Sequence, residues 1–171
     1  MSSKVKTGTD DLLADLTDGV LTLTMNRPEA RNAMSDAMTS ALAQQLADAE
    51  LNSDVKVIVL TGAGKGFCAG GDVKGMAASG DGTVGDNTID GAIHRQRLNQ
   101  RGTAGALYSI PKPTIAALPG AAAGAGLSLA LACDMRIMAS SAMMTTAFAK
   151  VGFSGDYGGT FFMSQLIGTA K

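Results

Sequence analysis

Residues 20–25, Val-Leu-Thr-Leu-Thr-Met, alternate apolar and polar positions and predict a half-buried strand. Asn26-Arg27-Pro28 breaks it. Ser35 is a good helix cap, and Met38, Leu42 and Leu46 then recur at helical spacing, so a helix is predicted to about Glu50. Residues 55–61 contain the unbroken apolar run Val57 to Leu60, which suits a strand covered on both faces. A Gly-rich loop follows over 62–75, then a stretch over 76–87 whose Gly, Asp, Ser and Ala predict a mobile loop. A helix is predicted over 88–108, ended by Pro111 and Pro113. Residues 114–118, 135–138 and 143–146 read as strands, 125–132 as a short buried helix. A last helix is predicted from Tyr157, carrying Phe161, Phe162, Leu166 and Ile167.

This alternation of strands and helices is that of an α/β fold. No repeat or second domain is visible. The 171 residues suit one domain over 1–171, with 1–18 as a flexible lead-in. The apolar share of 46% and charged share of 17% are those of a chain that folds around a core. The 22 glycines and many alanines point to close backbone packing and ligand-cradling loops. A net charge of -1, without a Lys/Arg run, gives no footprint for nucleic acid. Residues 115–133 carry no charge and approach the length of a membrane span. Pro119-Gly120 interrupts them and Asp134 and Arg136 follow, so a buried strand–loop–helix unit is expected and no membrane partner. Cys68 and Cys133 sit far apart in apolar runs, as buried reduced thiols do; their number and spacing exclude a Cys-rich zinc site, and no metal is expected. The N-terminus has no signal-peptide core, and a cytoplasmic location is expected.

Two loops can carry chemistry. FCAGGDVKGM (residues 67–76) and PGAAAGAGLSLALACD (residues 119–134) each follow an apolar strand, are Gly/Ala-rich and open toward a helix. Bare backbone lets a ligand approach, and unpaired N–H groups at a helix start are anion donors. One donor from each loop can grip an oxygen that becomes negative during reaction. Tight turns in a close-packed protein would look the same. Lys65 in Gly62-Ala-Gly-Lys-Gly66 is not followed by Ser or Thr, so this is no phosphate-binding P-loop.

The four blocks NRPEARNAMS (26–35), VKVIVLTGAGKGFCAGGDVKGM (55–76), PKPTIAALPGAAAGAGLSLALACDMRI (111–137) and GGTFFMSQLIG (158–168) resemble, in this order, the crotonase (enoyl-CoA hydratase/isomerase) superfamily. The resemblance covers nearly the whole chain. It implies a right-handed spiral of ββα turns, with the 35–50 helix covering strands 20–25 and 55–61. It implies an acyl-CoA thioester as substrate, with coenzyme A as part of that substrate and no tightly bound cofactor. It also implies a homo-trimer or hexamer, and a C-terminal helical part that is missing from this length. The thioester carbonyl is expected between the backbone N–H groups of Gly71 and of Ala125, where Gly is usual. Arg27, Arg31 and Ala33 match the stretch that meets coenzyme A phosphates and pantetheine, and Ala69 a backbone position near the adenine.

The departures shape the expected chemistry. Ser128 and Phe148 occupy the positions where hydratases of this superfamily carry two catalytic Glu residues, so hydration by a Glu pair is not expected. Asp156 stands where some relatives, ring-opening isomerases and aroyl-CoA dehalogenases among them, carry a functional Asp. It is either an acid/base or a helix cap. The expected reaction is double-bond isomerisation through an oxyanion-stabilised enolate with Asp156 as acid/base. Dehalogenase-like or altered hydratase chemistry, a silent acyl-CoA binder and a non-ligand structural subunit stay open beside it. Met76, Ser128, Phe148 and Tyr157 are expected to line the acyl pocket. Gly126-Leu-Ser128-Leu-Ala130 also approaches a nucleophile elbow, but His94, the single histidine, lies upstream and a serine triad is disfavoured. Asp134 and Arg136 are expected to form a structural pair.

Overall fold

The computed structural model describes residues 2–73, 75, 88–152 and 154–169. Met76 and the 76–87 loop lie outside the described residues. A six-stranded sheet has the order β1 (Ser2–Val5), β2 (Leu12–Thr17), β3 (Val20–Met25), β4 (Val57–Gly62), β5 (Thr114–Leu118) and β7 (Met135–Met138). β1, β2 and β3 pair antiparallel, and β3, β4, β5 and β7 run parallel. A second, two-stranded parallel sheet joins β6 (Ala122–Ala123) to β8 (Met144–Thr145). The helices are α1 (Asp36–Leu51), α2 (Ile89–Gln100), α3 (Ala106–Ser109), α4 (Ala125–Ala132) and α5 (Gly159–Ile167).

The alternation in β3 is borne out: Leu21, Leu23 and Met25 are buried and the residues between them half-buried. Ser35 caps α1 by accepting the Met38 N–H at 3.1 Å. Met38, Leu42 and Leu46 are fully buried, as their spacing predicts. Four expectations change. The 1–18 lead-in is instead the β1–β2 hairpin edge, with Leu12 fully buried. β4 is not covered on both faces: Ile58 and Leu60 are buried, Val57 and Val59 half-buried. α1 packs most against residues 101–105, and of the strands it meets β2 and β3 more than β4. The helix expected over 88–108 is opened by a π-turn at Arg101–Gly105. There Gly102 meets α1, where an added Cβ would stand 3.0 Å from that of Ala43.

One buried cluster runs from the sheet through α1 to α4. The α4 end of it is set by a backbone crossing. A Cβ at Gly126 would lie 2.4 Å from the Cys68 carbonyl oxygen and 2.7 Å from the Cys68 Cβ. Neither can move without displacing the 67–72 segment. Gly126→Ala is therefore expected to cost about 1–3 kcal/mol by overpacking, read as a lower midpoint in urea unfolding. An unchanged midpoint would mean that the two loops are not held this tightly. Among the described residues, no helix is long and apolar enough to cross a membrane.

Candidate active site

Three segments are laced edge to edge. Cys68 donates to the Ala121 carbonyl at 3.2 Å and accepts from Ala123 at 2.9 Å, which ties the 67–72 segment to β6. On its far side Met34 donates to the Gly70 carbonyl at 2.8 Å, and Asp72 donates to the Met34 carbonyl at 3.3 Å. Those two bonds flank Gly71, so its own N–H faces away from Met34. Asn32 secures the outer loop. Its side chain accepts from Arg27 and donates to the Ala63 and Gly66 carbonyls, each at 2.9 Å. Asn32 is fully buried at φ 55, a left-handed conformation that Asn tolerates.

Gly70 is where the two loops touch. Its φ is 103, and a Cβ there would lie 3.0 Å from the Ala123 carbonyl oxygen and 3.4 Å from the Ala125 nitrogen. Ala125 is the first residue of α4, and the helix's first closing bond is Ser128 N–H to the Gly124 carbonyl at 3.1 Å. Its amide is thus one of the orphan donors of a helix start. Among the described residues, neither the Gly71 nor the Ala125 N–H has an acceptor. Both residues line one cavity of about 190 Å³.

Asp156 and Phe148 line the same cavity, with Ala69, Val73, Ala147 and Ser154 around them. Asp156 is no helix cap. α5 begins at Gly159, its cap is Gly158, and no side chain closes that end. The carboxyl is half-buried, and burial raises its pKa above the ordinary carboxylate range. Phe148 contributes to that apolar setting: its ring stands 3.3 Å from where a Gly155 Cβ would be. A cavity with two free amides and a carboxyl of raised pKa can hold an oxyanion and exchange a proton.

A neighbouring hollow of about 550 Å³ shares Gly71 and Val73 with this cavity and is lined by Arg27, Arg31 and Ala33. All four positions at which the resemblance places coenzyme A contacts therefore border one continuous surface, Ala69 from the inner cavity.

A family model described as enoyl-CoA hydratase/isomerase matches residues 15–171. The chain belongs to the enoyl-CoA hydratase/isomerase family. It is 39% identical over 160 residues to 1,2-epoxyphenylacetyl-CoA isomerase of Escherichia coli (strain K12), covering 94% of this chain and 59% of that protein. It is 40% identical over 153 residues to the mitochondrial enoyl-CoA hydratase domain-containing protein 2 of Mus musculus, covering 89% of this chain and 49% of that protein. The crystal structure of an enoyl-CoA hydratase from Polaromonas sp. JS666 superposes with a TM-score of 0.79 at 34% identity, over 90% of this chain and 58% of that one. The chain thus spans roughly half to three-fifths of the length of these relatives. The crotonase-type architecture expected from the sequence is the one observed.

Within this family member, several expected site residues have other places. Arg27 reaches the outer hollow, but its guanidinium donates to Asp72 and to the Ala33 carbonyl, both at 2.8 Å. Arg31 is exposed there, and among the described residues no acidic group pairs with it. Ser128 does not line the cavity; it is buried and bonds to the Asp156 backbone. A serine triad has no support, because that hydroxyl faces backbone carbonyls and His94 is exposed on α2. Tyr157 is not in the cavity either. At φ 50 the chain turns its ring into the core, where it hydrogen-bonds Thr39 and burial pushes its pKa up to about 12. Arg136 meets Asp134 at the backbone, donating to its carbonyl at 3.3 Å, while the Asp134 carboxylate serves another group. Asp134 accepts from the Thr114 N–H and hydroxyl at 2.8 and 3.0 Å, and Arg136 donates to the Cys133 carbonyl at 2.6 Å. Cys68 and Cys133 are free, buried thiols whose pKa burial pushes up to about 12, so neither is a nucleophile near neutral pH.

Proposed function

We propose that this chain carries the thioester grip and the acid/base of an acyl-CoA double-bond isomerase. The single observation behind this reading is that two free backbone donors and the uncapped Asp156 carboxyl line one cavity. The thioester oxygen sits between the Gly71 and Ala125 N–H groups. The Asp156 carboxylate takes a proton from C2 of a 3-enoyl-CoA. The C–H pair becomes the C1–C2 double bond of an enolate, and the carbonyl pair moves onto the oxygen held by the two amides. When that pair returns, the C1–C2 pair forms the C2–C3 double bond. The former C3–C4 pair then takes the proton at C4 from the Asp156 carboxylic acid. The carboxylate is restored and the double bond has moved.

A base is more effective near neutral pH when its pKa is raised toward that range, which suits Asp156 to proton transfer. The coenzyme A moiety leaves through the outer hollow, where Arg31 is the cation for its phosphates and Ala33 and Ala69 border its path. The isomerase named among the relatives also carries an acyl-CoA in its name, which agrees with this reading. The test is to incubate the complete protein with trans-3-hexenoyl-CoA in D₂O and follow the products by NMR. Formation of trans-2-hexenoyl-CoA is expected, with the C2 hydrogen delivered to C4 and deuterium there only to the extent that the Asp156 acid exchanges with solvent between the two steps. Binding of a panel of 3-enoyl-CoAs with neither turnover nor C2 exchange would make the protein a silent acyl-CoA binder.

A further inference from the structure

Ser128 stands at the position of an expected glutamate, yet its hydroxyl faces the chain that carries Asp156. It is 1% exposed, and its Oγ donates to the Asp156 carbonyl at 2.9 Å. A longer contact of 3.4 Å to the Gly124 carbonyl is its alternative. The Asp156 carbonyl also accepts the Gly159 N–H at 3.0 Å. Two donors on one carbonyl fix the peptide that follows the Asp156 side chain. Gly159 makes this approach possible, since a Cβ there would lie 2.4 Å from Ser128 Oγ. Downstream, Tyr157 and Gly158 take φ values of 50 and 75, so the chain turns sharply right after Asp156. Ser128 also lies one helical turn after Ala125 on α4. One short helix therefore carries an oxyanion donor at its start and the tether of the carboxyl a turn later.

We propose that Ser128 is a positioning residue: through the Asp156 backbone carbonyl, its buried hydroxyl holds the carboxyl in register with the Ala125 oxyanion donor. α4 then sets the spacing between the held oxygen and the proton-transfer group. Small displacements of a reacting group are costly; about 1 Å of misplacement can cost about 10²-fold in rate. The proposal rests on the acid/base reading of Asp156. It assigns this chain a use for the position at which hydratases carry a glutamate, without giving the serine any contact with substrate.

The test compares Ser128→Ala, Asp156→Asn and the double variant in the complete protein, with trans-3-hexenoyl-CoA as substrate. Ser128→Ala is expected to lower kcat by about 10²-fold, the scale of such a misplacement. Its KM should stay within about twofold, because the thioester grip is untouched. Its acid limb in the pH–rate profile should move, because the carboxyl is no longer held in its half-buried place. In the Asp156→Asn background the same change should do nothing further to the residual rate. Gly159→Ala, whose added carbon meets the Ser128 hydroxyl, should lower kcat in the same direction and serves if Ser128→Ala folds poorly. An inactive Asp156→Asn protein beside a Ser128→Ala protein of unchanged kcat and acid limb overturns this proposal alone. So does a Ser128→Ala loss that multiplies with that of Asp156→Asn. A fully active Asp156→Asn protein removes the acid/base reading and this proposal together.

Discussion

Asp156→Asn is expected to lower turnover of a 3-enoyl-CoA by about 10²–10⁴-fold, the usual contribution of a positioned acid/base. Acyl-CoA affinity should stay nearly unchanged, because the Gly71 and Ala125 amides and the outer hollow are untouched. The pH dependence follows from the direction of the Asp156 shift. Burial raises its pKa, so the acid limb of kcat/KM should lie above the ordinary carboxylate range. Stability has the matching sign. With its folded-state pKa raised, Asp156 favours the fold most when protonated, at pH below the ordinary carboxylate range. That contribution is lost as pH rises through the folded-state value. Asn has no charge to desolvate, so the variant should be at least as stable as the parent at neutral pH. A rise or no change in Tm with lost turnover is the expected pair of results. Full turnover in a folded Asp156→Asn protein would leave the carboxyl without a role in the reaction.

Gly71→Pro is the second large effect. Proline deletes the N–H and leaves both bonds of the Met34 bridge, which run through the Gly70 carbonyl and the Asp72 amide. Gly71 does not have the positive φ that would exclude proline. Loss of one oxyanion donor typically costs about 10²–10³ in rate. That loss should appear in kcat, since the donor acts most strongly on the enolate oxygen. Circular dichroism and the unfolding midpoint should show a folded protein. An unchanged rate in that protein would place the oxyanion elsewhere.

Much of this was legible from local pattern. Strong periodicity located β3 and α1, whose buried faces follow sequence spacing, while α4 showed as an uncharged apolar run and is buried on nearly every side. The β1–β2 hairpin was not, because an edge strand such as Ser2–Val5 has little apolar alternation and owes its form to its neighbour. Gly71 and Ala125 were named from the blocks, Phe148 and Asp156 from the stretch just before the last block, and the fold brings them to one cavity. Ser128 and Tyr157 were misplaced for a shared reason. Adjacency to a site residue does not fix side-chain direction. The positive φ at Tyr157 sends its ring inward, while the bare Gly159 draws α5 against the Ser128 hydroxyl. Asn32 was missed although it fastens the outer loop. An Asn in a polar loop before a helix was its one signal, and its three partners come from Arg27 and from two residues some thirty positions away. Whether Asp156 caps α5 depended on where the helix starts, which sequence fixes only to within a few residues.

The proposed reaction depends on one thioester oxygen held by the Gly71 and Ala125 amides within reach of Asp156. A crystal structure of the complete protein with hexanoyl-CoA, which has no double bond to move, tests it most directly. The thioester oxygen should lie about 3 Å from both nitrogens, with the Asp156 carboxyl facing the C2–C4 stretch of the acyl chain. Amides that point apart around the bound thioester, or a carboxyl turned to solvent away from the acyl chain, would contradict it.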